Sequence, residues 1–548
     1  MTPRTAIAAG LVLTGWLALA AAAAAQTTLP QDADAAVRWE SLFERDKDGF
    51  TDFPLGQGAK FIFVSSSEGS DFNDGMLRPV RTLQKALSLV SNGYPDRILF
   101  KRGDVFVAAQ LRATFDHAGR SILEPMILGA YGDQRQPRPI LESGLSLGGK
   151  IPPRFVVIAS LDFYASQRDT TVRSFDPERT VVGQDAGIFM FTNGSYLWIE
   201  DCACRFFGVG MVLQSHDTFH TLIIRRCTLC DSYSNRAHSQ GIYIDGPDNV
   251  LIEQNVFDHN GWNESVNRAG KTIFNHNMYL QHGPPGQDRA FIVRDNISAR
   301  ASSHGCQLRP GGLLENNLFL KDPLAALVAD SPSVVRNNVI LDSDDIGSAN
   351  PRGQGLEFLN CPTVLAEANV IAHKKDKRNG ESALAYDPLV RDQPPAPSRG
   401  EFRLNVVYDW AGSAFTTDSP SVELNLHDNY FHQNGQPIIH LNQWREQYLI
   451  RNNHYQLADS PPFMIGQQQM DLAGWCAKTG DTSRAAAMQF VDPARDIATY
   501  AASIGLKDAT LEGFLAAARQ QRRGHWDARL TAAAVNDYIR AGFAVKPQ

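Results

Sequence analysis

The stretch L-I-E-Q-N at residues 251–255 is one copy of a short pattern that recurs between Trp198 and Asn453. Two apolar residues precede two mostly polar residues, and in most copies an asparagine comes next. The copies are W-I-E-D-C at 198–202, I-I-R-R-C at 223–227, L-I-E-Q-N at 251–255, I-V-R-D-N at 292–296, L-L-E-N-N at 313–317, V-V-R-N-N at 334–338, L-A-E-A-N at 365–369 and L-I-R-N-N at 449–453, with weaker copies ending at Asn405 and Asn429. Their spacing, about 21 to 41 residues, suits one coil of a solenoid.

This repeat predicts an all-β fold, a parallel β-helix of about ten coils. A short strand cannot bury its apolar face alone, but stacking each coil on the next covers that face. The recurring asparagine would then lie at the same bend in every coil, where its amide can bond its neighbours above and below. Cys202 and Cys227 take this position in the first two copies. Ten coils at about 4.8 Å each would form a rod roughly 50 Å long.

A second strand of each coil follows its own template. The copies are G-M-V-L-Q at 210–214, G-I-Y-I-D at 241–245, N-M-Y-L-Q at 277–281, G-C-Q-L-R at 305–309 and G-L-E-F-L at 355–359. Side chains alternate along a strand, so the apolar positions of this template should point inward. The outward positions would then form two rows, one of Tyr243, Tyr279 and Gln307 and one of Asp245, Gln281 and Arg309.

The chain ends differ from the repeat. Residues 1–25 combine a positive start, an apolar run and an A-x-A site, which predicts a cleaved signal peptide and a secreted or periplasmic protein. Residues 26–60 are an N-terminal extension, residues 61–459 the β-helix, and residues 460–548 a partly helical C-terminal region. Thr82–Val90 has the pattern of an N-terminal capping helix, and helical spacing returns after Thr510 and from Ala532 to Ile539.

Composition narrows the classes of protein and partner. The 548 residues include 43% hydrophobic and 20% charged residues, which excludes a disordered or collagen-like chain. A formal net charge of −7 argues against nucleic acid as a partner, no later segment is apolar enough to span a membrane, and we expect a monomer. The cluster of Cys202, Cys204, Cys227 and Cys230 favours stacked buried thiols, with a disulfide or a zinc site as alternatives.

These features together resemble the pectate-lyase-like right-handed parallel β-helix superfamily over about residues 60–455. The resemblance rests on the signal peptide, the F-I-F-V-S segment at 61–65, the P-V-R-T-L-Q segment at 79–84 and the asparagine-ending coils. It implies a right-handed winding and a carbohydrate-active protein. The superfamily contains lyases, hydrolases, epimerases and phage tailspikes, so it does not decide the activity. The chain lacks an intact polygalacturonase carboxylate set and the Asp-Pro-His signature of mannuronan epimerases.

Candidate site residues cluster between residues 238 and 309. The longest interval in the repeat contains an insertion, 258–275, and long polar loops beside rigid strands often bind ligands. It carries Trp262, Glu264 and Lys271; the alternatives are a solvated loop without a role and a tryptophan that packs the base of the loop. Five histidines also fall in this region: His238, His259, His276, His282 and His304. His276 and His304 should be vertical neighbours, either for proton transfer or as a hydrogen-bonded stack.

The leading interpretation is a polysaccharide lyase that cleaves an anionic, uronate-containing polysaccharide by β-elimination. Arg309 would neutralise the sugar carboxylate, His276 or Lys271 would remove the C5 proton, and Tyr279 or Tyr243 would protonate the leaving oxygen. The predicted catalytic residues are His276, Lys271, Tyr279, Arg309 and His304. The predicted substrate-binding residues are Tyr243, Asp245, Trp262, Glu264, Gln281, Gln307 and His238.

Three alternatives stay open. A hydrolase would need two carboxyl groups across the glycosidic bond, from Asp245 with Glu264 or from Asp245 with Asp330, which we assign to the Asp245 row in a later coil. The second alternative is that Arg309 forms a structural ion pair with Asp245. The third is a non-catalytic glycan-binding or surface scaffold protein, which would need no catalytic groups. We predict no bound cofactor and no metal in the cleft. Calcium, which the resembled lyases sometimes use, has a candidate loop at Asp46–Asp52, which lacks the closing glutamate of a calcium-binding loop.

Overall fold

The computed structural model describes residues 34–546, except 174, 177–184, 282–290, 331, 345–351, 375–380, 389–397, 433, 436, 458–461 and 486–488. The predicted signal peptide and His282 therefore lie outside the described residues. Within these ranges, no helix has the length and apolar character needed to cross a membrane.

Three faces of parallel strands form the body of the molecule and are called A, B and C, as defined by their strands below. Each coil contributes one strand to face B, then one to face C and then one to face A. One strand, Val209–Arg225, passes from face A into face B without a break, which joins these two faces in one sheet. Face A has the strands Thr114–Phe115, Leu145–Leu147, Ala186–Phe191, the first half of Val209–Arg225, Gln240–Pro247, His276–Gln281, His304–Leu308, Leu324–Ala329, Gln354–Leu359, Leu384–Asp387, Phe415–Thr417, Ile439–Leu441 and Phe463–Ile465, with an antiparallel final strand Gln468–Met470.

The other two faces carry the rest of each coil. Face B has Phe61–Val64, Arg97–Lys101, Met126–Tyr131, Arg154–Ala159, Gly194–Glu200, the second half of Val209–Arg225, Val250–Glu253, Phe291–Arg294, Gly312–Glu315, Ser333–Arg336, Thr363–Glu367, Arg399–Arg403, Glu423–His427 and Tyr448–Arg451. Face C has Val105–Phe106, Ile140–Leu141, Asp162–Tyr164, Ala203–Arg205, Thr228–Cys230, Val256–Asp258, Ile297–Ala299, Leu318–Leu320, Val339–Leu341, Val370–Ala372, Val406–Tyr408, Tyr430–His432, His454–Tyr455 and Arg484–Ala485.

The predicted fold class, a right-handed parallel β-helix, is confirmed, and the rod is longer than the repeat suggested. Face C contains 14 strands in the described part of the chain, against about ten predicted coils. The difference arises at the ends, because the coils before Cys202 lack the asparagine by which coils were recognised. At the other end the sheets continue beyond residue 459, since His454–Tyr455 pairs with Arg484–Ala485.

A continuous column of buried asparagines lies at the bend between faces B and C. Each backbone N–H and each side-chain Nδ2 donates to the Oδ1 of the next asparagine, at 2.9–3.1 Å. The column contains Asn255, Asn296, Asn317, Asn338, Asn369, Asn405, Asn429 and Asn453. Polar groups that would be costly to bury alone are thereby satisfied, as the repeat predicted.

The ends of the asparagine column are closed by other side chains. Cys227 continues it on one side, where its backbone N–H donates to Asn255 Oδ1 at 2.8 Å, and Ser483 Oγ accepts from Asn453 on the other. Cys202 and Cys227 are buried, and all seven cysteines, each among the described residues, are free thiols. The clustered cysteines are therefore buried thiols, as predicted, and form no disulfide.

Segments from both ends of the chain cover the outer sides of faces B and C. The N-terminal strap, defined as residues 34–53, contains helix α1 (Asp34–Glu40) and a small antiparallel pair, Glu44–Arg45 with Thr51–Asp52. Its apolar side chains pack on a row of outward residues of face B, including Trp198 and Leu251. Helix α2 (Leu83–Leu87), capped by Thr82, is the predicted capping helix and contacts the first strand of face B.

The C-terminal cover, defined as residues 490–546, lies on face C. Helix α3 (Leu472–Thr479) precedes it, and it contains α4 (Ile497–Ser503), α5 (Leu511–Ala518) and α6 (Ala532–Gly542). Two of these helices start where the sequence predicted, after Thr510 and at Ala532. Their apolar residues form one buried cluster with outward residues of face C such as Val339 and Leu341. The outer side of face A has no comparable cover among the described residues, and the candidate site lies there.

Candidate active site on the open face

The outer side of face A aligns side chains from successive coils in vertical rows. Paired residues run from Val212 to Tyr243, Tyr279, Gln307, Leu327 and then Glu357. The neighbouring row contains Gln214, Asp245 and Gln281. The first row contains the predicted Tyr243, Tyr279 and Gln307, and the second contains the predicted Asp245 and Gln281. Arg309, predicted in the second row, lies just beyond its strand, which ends at Leu308.

Two tyrosines form the centre of this surface. The rings of Tyr243 and Tyr279 lie 5.3 Å apart, and the hydroxyl of Tyr243 is 3.4 Å from Asp245 Oδ2. Gln281 Nε2 donates a hydrogen bond to the Tyr279 hydroxyl. Burial, followed by the charge of Asp245, raises the pKa of Tyr243 to about 12. Tyr243 is therefore protonated at neutral pH and can act as a proton donor.

Arg309 brings a positive charge to the tyrosine pair. Its guanidinium carbon lies 5.6 Å from the centre of the Tyr279 ring, and the side chain is partly exposed. Among the described residues no carboxylate forms an ion pair with Arg309, so the alternative of a structural ion pair with Asp245 is wrong. A partly exposed guanidinium without an ion pair can bind a carboxylate from outside.

His276 and His304 lie in adjacent coils and contact each other directly. Their Nδ1 atoms are 2.8 Å apart, and the backbone N–H of His304 also donates to Nδ1 of His276. Nδ1 of His276 is thus an acceptor, which puts its ring proton on Nε2. The His276 ring also lies edge-on to Tyr279, with 5.0 Å between ring centres. This is the hydrogen-bonded stack that the sequence left as an alternative, and a catalytic role stays a prediction.

Both histidines are neutral in the folded protein. Each is only 3% exposed, and burial is the main reason that the pKa of His276 is well below its usual value and that of His304 is lowered to about 3. Arg309 and Arg352 add to the effect by repelling a positive charge, and His238 does so for His276. Arg352, which the sequence analysis did not single out, therefore belongs to the same positively charged cluster.

The predicted site residues of the insertion, Trp262, Glu264 and Lys271, lie away from the tyrosine pair. Trp262 donates from Nε1 to the Arg300 carbonyl at 2.9 Å, Lys271 Nζ lies 4.5 Å from the centre of its ring, and Glu264 contacts His259 at 3.1 Å. Trp262 and Glu264 line a cavity of about 290 Å³ that also involves Arg519 of the C-terminal cover. No hydrogen bond, ion pair or ring contact between described residues joins these three side chains to the tyrosine pair.

The remaining predicted site residues lie close to the tyrosines. Gln307 is buried in the row of Tyr243 and Tyr279. His238 is exposed, and its ring is 5.5 Å from that of Phe274. The structure thus brings together Tyr243, Asp245, His276, Tyr279, Gln281, His304, Gln307 and Arg309, with His238 beside them.

Glu357 is a residue of this surface that the sequence analysis overlooked. It occupies the Tyr243 row in the later template copy G-L-E-F-L, and this alignment was the signal that could have identified it. Burial, together with the negative charges of Glu381, Asp387 and Asp418, raises its pKa to about 7. Asp330, in contrast, was assigned to the Asp245 row by mistake. The strand ends at Ala329, and Asp330 has a left-handed backbone with φ of 64°.

The candidate calcium loop does not fit the ion. Asp46 and Asp52 both form ion pairs with Arg523, and Asp46 Oδ1 also accepts two backbone N–H groups. An arginine at these carboxylates takes the place that a cation would need. Among the residues that the structure describes, no group of three His, Cys, Asp or Glu side chains is arranged to hold a metal ion.

Comparison with known proteins gives similar folds at low identity. No protein-family model and no curated sequence matches the chain. An alginate lyase of polysaccharide lyase family 6 aligns at 12% identity over 76% of this chain and 54% of its own, with a TM-score of 0.42. A pectate lyase aligns at 13% over 81% and 86%, with a TM-score of 0.31. A lacto-N-biosidase of glycoside hydrolase family 136 from Eubacterium ramulus aligns at 10% over 78% and 68%, with a TM-score of 0.37.

The strand pairing itself establishes the parallel β-helix. The chain therefore has a parallel β-helix fold, in which successive strands of each face pair in parallel.

Proposed function

We propose that this protein is a secreted polysaccharide lyase that cleaves a uronate-containing polysaccharide by β-elimination on the outer side of face A. The observation that carries the proposal is the conjunction of three groups within three successive coils. A guanidinium without an ion pair to any described residue, a neutral histidine and a protonated tyrosine are what this reaction requires. Export of the protein is predicted from residues 1–25 alone.

Each group has one role in the proposed step. Arg309, helped by Arg352, binds and neutralises the sugar carboxylate, which makes the C5 proton acidic. Neutral His276 accepts that proton on Nδ1, its unprotonated ring nitrogen, the C4–O bond breaks as a C4=C5 double bond forms, and Tyr243 donates its proton to the leaving oxygen. Tyr279 lies between His276 and Tyr243 and would support the sugar ring. The role of His276 as the base requires its Nδ1 to turn from His304 towards the sugar.

The first experiment is a panel of uronate polysaccharides with two readouts, the ultraviolet absorbance of the unsaturated product and the release of reducing ends. Both should appear together for a lyase. We expect Arg309→Met to abolish both signals and Arg451→Met to leave them unchanged. Arg451 is the matched control because it is an exposed arginine on face B. Activity of Arg309→Met close to that of the wild type would reject the proposed site.

His276 needs a readout that separates chemistry from packing. The variant His276→Gln keeps a polar side chain of similar size, and we expect it to lower kcat by at least about a hundredfold if His276 is the base. The melting temperature and KM of the same variant report its structural role. A variant that melts earlier but keeps its kcat at a permissive temperature would show that the histidine pair only supports the surface.

Glu357 supports one alternative, a glycoside hydrolase. A carboxyl group with a pKa of about 7 can act as a general acid at neutral pH, and Asp387 lies in the next coil as a possible partner. This function predicts reducing ends without unsaturated product, and loss of activity in Glu357→Gln rather than in Arg309→Met. The same panel therefore distinguishes the two reactions.

A further inference from the structure

The outer side of face A extends beyond the tyrosine pair towards the N-terminal coils. Phe189 pairs with Val212, which in turn pairs with Tyr243, so Phe189 lies in the same row as Tyr243 and Tyr279. Phe191 heads the neighbouring row, two coils before Asp245. Three coil steps of about 4.8 Å put Phe189 about 14 Å from the position of Tyr279 along the rod.

Both phenylalanines are unusually exposed for large apolar residues. Phe189 is 40% and Phe191 49% accessible, and the Phe191 ring contacts His216 at 4.2 Å between ring centres. Exposed aromatic side chains in a row on one face mark a binding surface more often than a random position. An aromatic ring offers a flat apolar surface to the C–H face of a sugar, while the sugar hydroxyls remain free for polar partners.

A cavity of about 570 Å³ lies beside Phe189. Its polar lining includes Glu142, Ser146, Gln167, Arg168 and Asp185. A volume of this size suits a small-molecule ligand, and several hydrogen-bonding side chains converge on it.

The cavity is lined by a buried arginine, Arg168, and one of its donor nitrogens forms no hydrogen bond to a described residue. Arg168 is 6% exposed, its Nε donates to the Phe206 carbonyl at 2.6 Å, and Nη2 donates to the Tyr233 carbonyl. Nη1 has no hydrogen-bond partner among the described residues. A buried guanidinium nitrogen without a partner is costly, and a ligand in the cavity could remove that cost by accepting its hydrogen bond.

The charges of the two ends of this surface are opposite. At the tyrosine end, the positive Arg309 and Arg352 outnumber the carboxylate of Asp245, and the two histidines are neutral. At the cavity end, Glu142 and Asp185 outnumber Arg168. Carboxylates repel a uronate but readily accept hydrogen bonds from sugar hydroxyls, so the cavity end suits a neutral sugar.

We propose that the Phe189 cavity is a subsite for a neutral sugar of the same polysaccharide whose uronate binds at Arg309. This inference rests on the proposed function. It narrows the substrate class to a heteropolysaccharide in which uronates alternate with neutral residues, and it makes Phe189, Glu142 and Asp185 determinants of specificity. Residues of the glycan between the two ends would lie along Val212 and Tyr243.

Binding tests this proposal independently of cleavage. The probes are glucuronan, a homopolymer of glucuronate, and gellan, whose backbone mixes glucuronate with neutral sugars; affinity electrophoresis measures the retardation of the protein by each. We expect the wild type to bind gellan at least about tenfold more tightly than glucuronan. Phe189→Ser should remove most of this preference, and Phe72→Ser, at an exposed loop position, should leave it intact.

The charge argument has its own variant. Glu142→Gln combined with Asp185→Asn should improve binding to glucuronan by several-fold while binding to gellan changes little. Equal or absent binding of both polymers by the wild type would overturn the proposal, and so would an unchanged preference in Phe189→Ser or in the double variant. If the preference holds but neither polymer nor any other uronate is cleaved, the lyase proposal fails and the subsite survives.

Discussion

Face A and the two covered faces use their outward charges in different ways. On face B, beneath the N-terminal strap, Arg225 contacts Glu200 at 2.7 Å and Glu253 at 2.8 Å. On face C, beneath the C-terminal cover, Arg519 contacts Asp231 at 2.8 Å and Asp258 at 2.6 Å. Every one of these charges has an opposite partner that belongs to the protein.

On open face A the arrangement is reversed. Arg309 has no ion pair with a described carboxylate, and the two histidines beneath it are held neutral. Paired charges stabilise a structure, whereas charges without an internal partner are available to a ligand. In this rod, the charge that is available to a ligand therefore lies on the face that the two terminal segments leave uncovered.

Two arginine variants should show this contrast most strongly. We expect Arg225→Met to lower the free energy of unfolding by about 3–5 kcal/mol, because it leaves Glu200 buried without its cation and leaves Glu253 with Arg294 as its remaining partner. Arg309→Met should change it by less than about 0.5 kcal/mol while activity disappears. Chemical denaturation with parallel activity assays measures both. Equal destabilisation by the two variants would remove the distinction between the faces.

A substitution in the asparagine column should have the next largest effect on the free energy of unfolding. Asn338→Ala removes the partner of the Asn317 amide and of the Leu314 carbonyl, both within the rod. We expect a loss of about 2–3 kcal/mol in unfolding free energy. Asn425→Ala, at an outward position of face B, is the control and should stay within about 0.5 kcal/mol. A small effect at Asn338 would mean that water or a neighbouring group replaces the amide.

The histidine pair should make stability depend on pH in a defined window. The pKa of His304 in the folded protein, about 3, lies below its unfolded value, and that of His276 is shifted in the same direction. The unfolded chain therefore binds more protons, so this contribution is complete above about pH 6.5 and decreases as pH falls. Each histidine should lower the free energy of unfolding by up to about 1.4 kcal/mol for each pH unit below pH 6.5.

Equilibrium unfolding between neutral pH and pH 5 measures this slope. The double variant His276→Gln with His304→Gln should flatten it. A slope that persists in the double variant would assign the acid sensitivity to other groups, such as the ion pairs of the covered faces.

We expect the smallest effect, here on activity, from a substitution in the insertion, residues 258–275. Trp262 contacts His259, Arg300 and Lys271 rather than the tyrosine pair. Trp262→Leu should therefore change kcat/KM by less than about twofold, a change within the scatter of ordinary surface substitutions. A large loss of activity would show that the loop reaches the substrate and would return Trp262, Glu264 and Lys271 to the site.

The sequence predicted those features that depend on regular repetition. The asparagine column and the rows of Tyr243 and Tyr279 follow from the fixed alternation of strands, and each coil reinforces the register of the next. Prediction was poorer where repetition stops. Asp330 was misplaced by one residue because the length of a strand is not visible in its pattern, and the first coils were not counted because they lack asparagine.

Loops and electrostatics depend on tertiary structure in a way that the pattern does not contain. The direction of the insertion is set by its contacts with Arg300 and the C-terminal cover, and these come from residues distant in sequence. Arg352 reaches the histidines from a loop, and the raised pKa of Glu357 depends on burial and on three carboxylates of other coils or loops. None of these arrangements has a local sequence signature.

The spacing of the asparagine column makes the rod modular. Asn296, Asn317 and Asn338 are each 21 residues apart, and each makes the same bonds to the next. Excising one such 21-residue unit would let the flanking asparagine amides bond in the same geometry. The rod could therefore lose or gain a whole coil without a change in the hydrogen bonds between neighbouring coils. The length of the glycan that fits along face A would then change in steps of one coil.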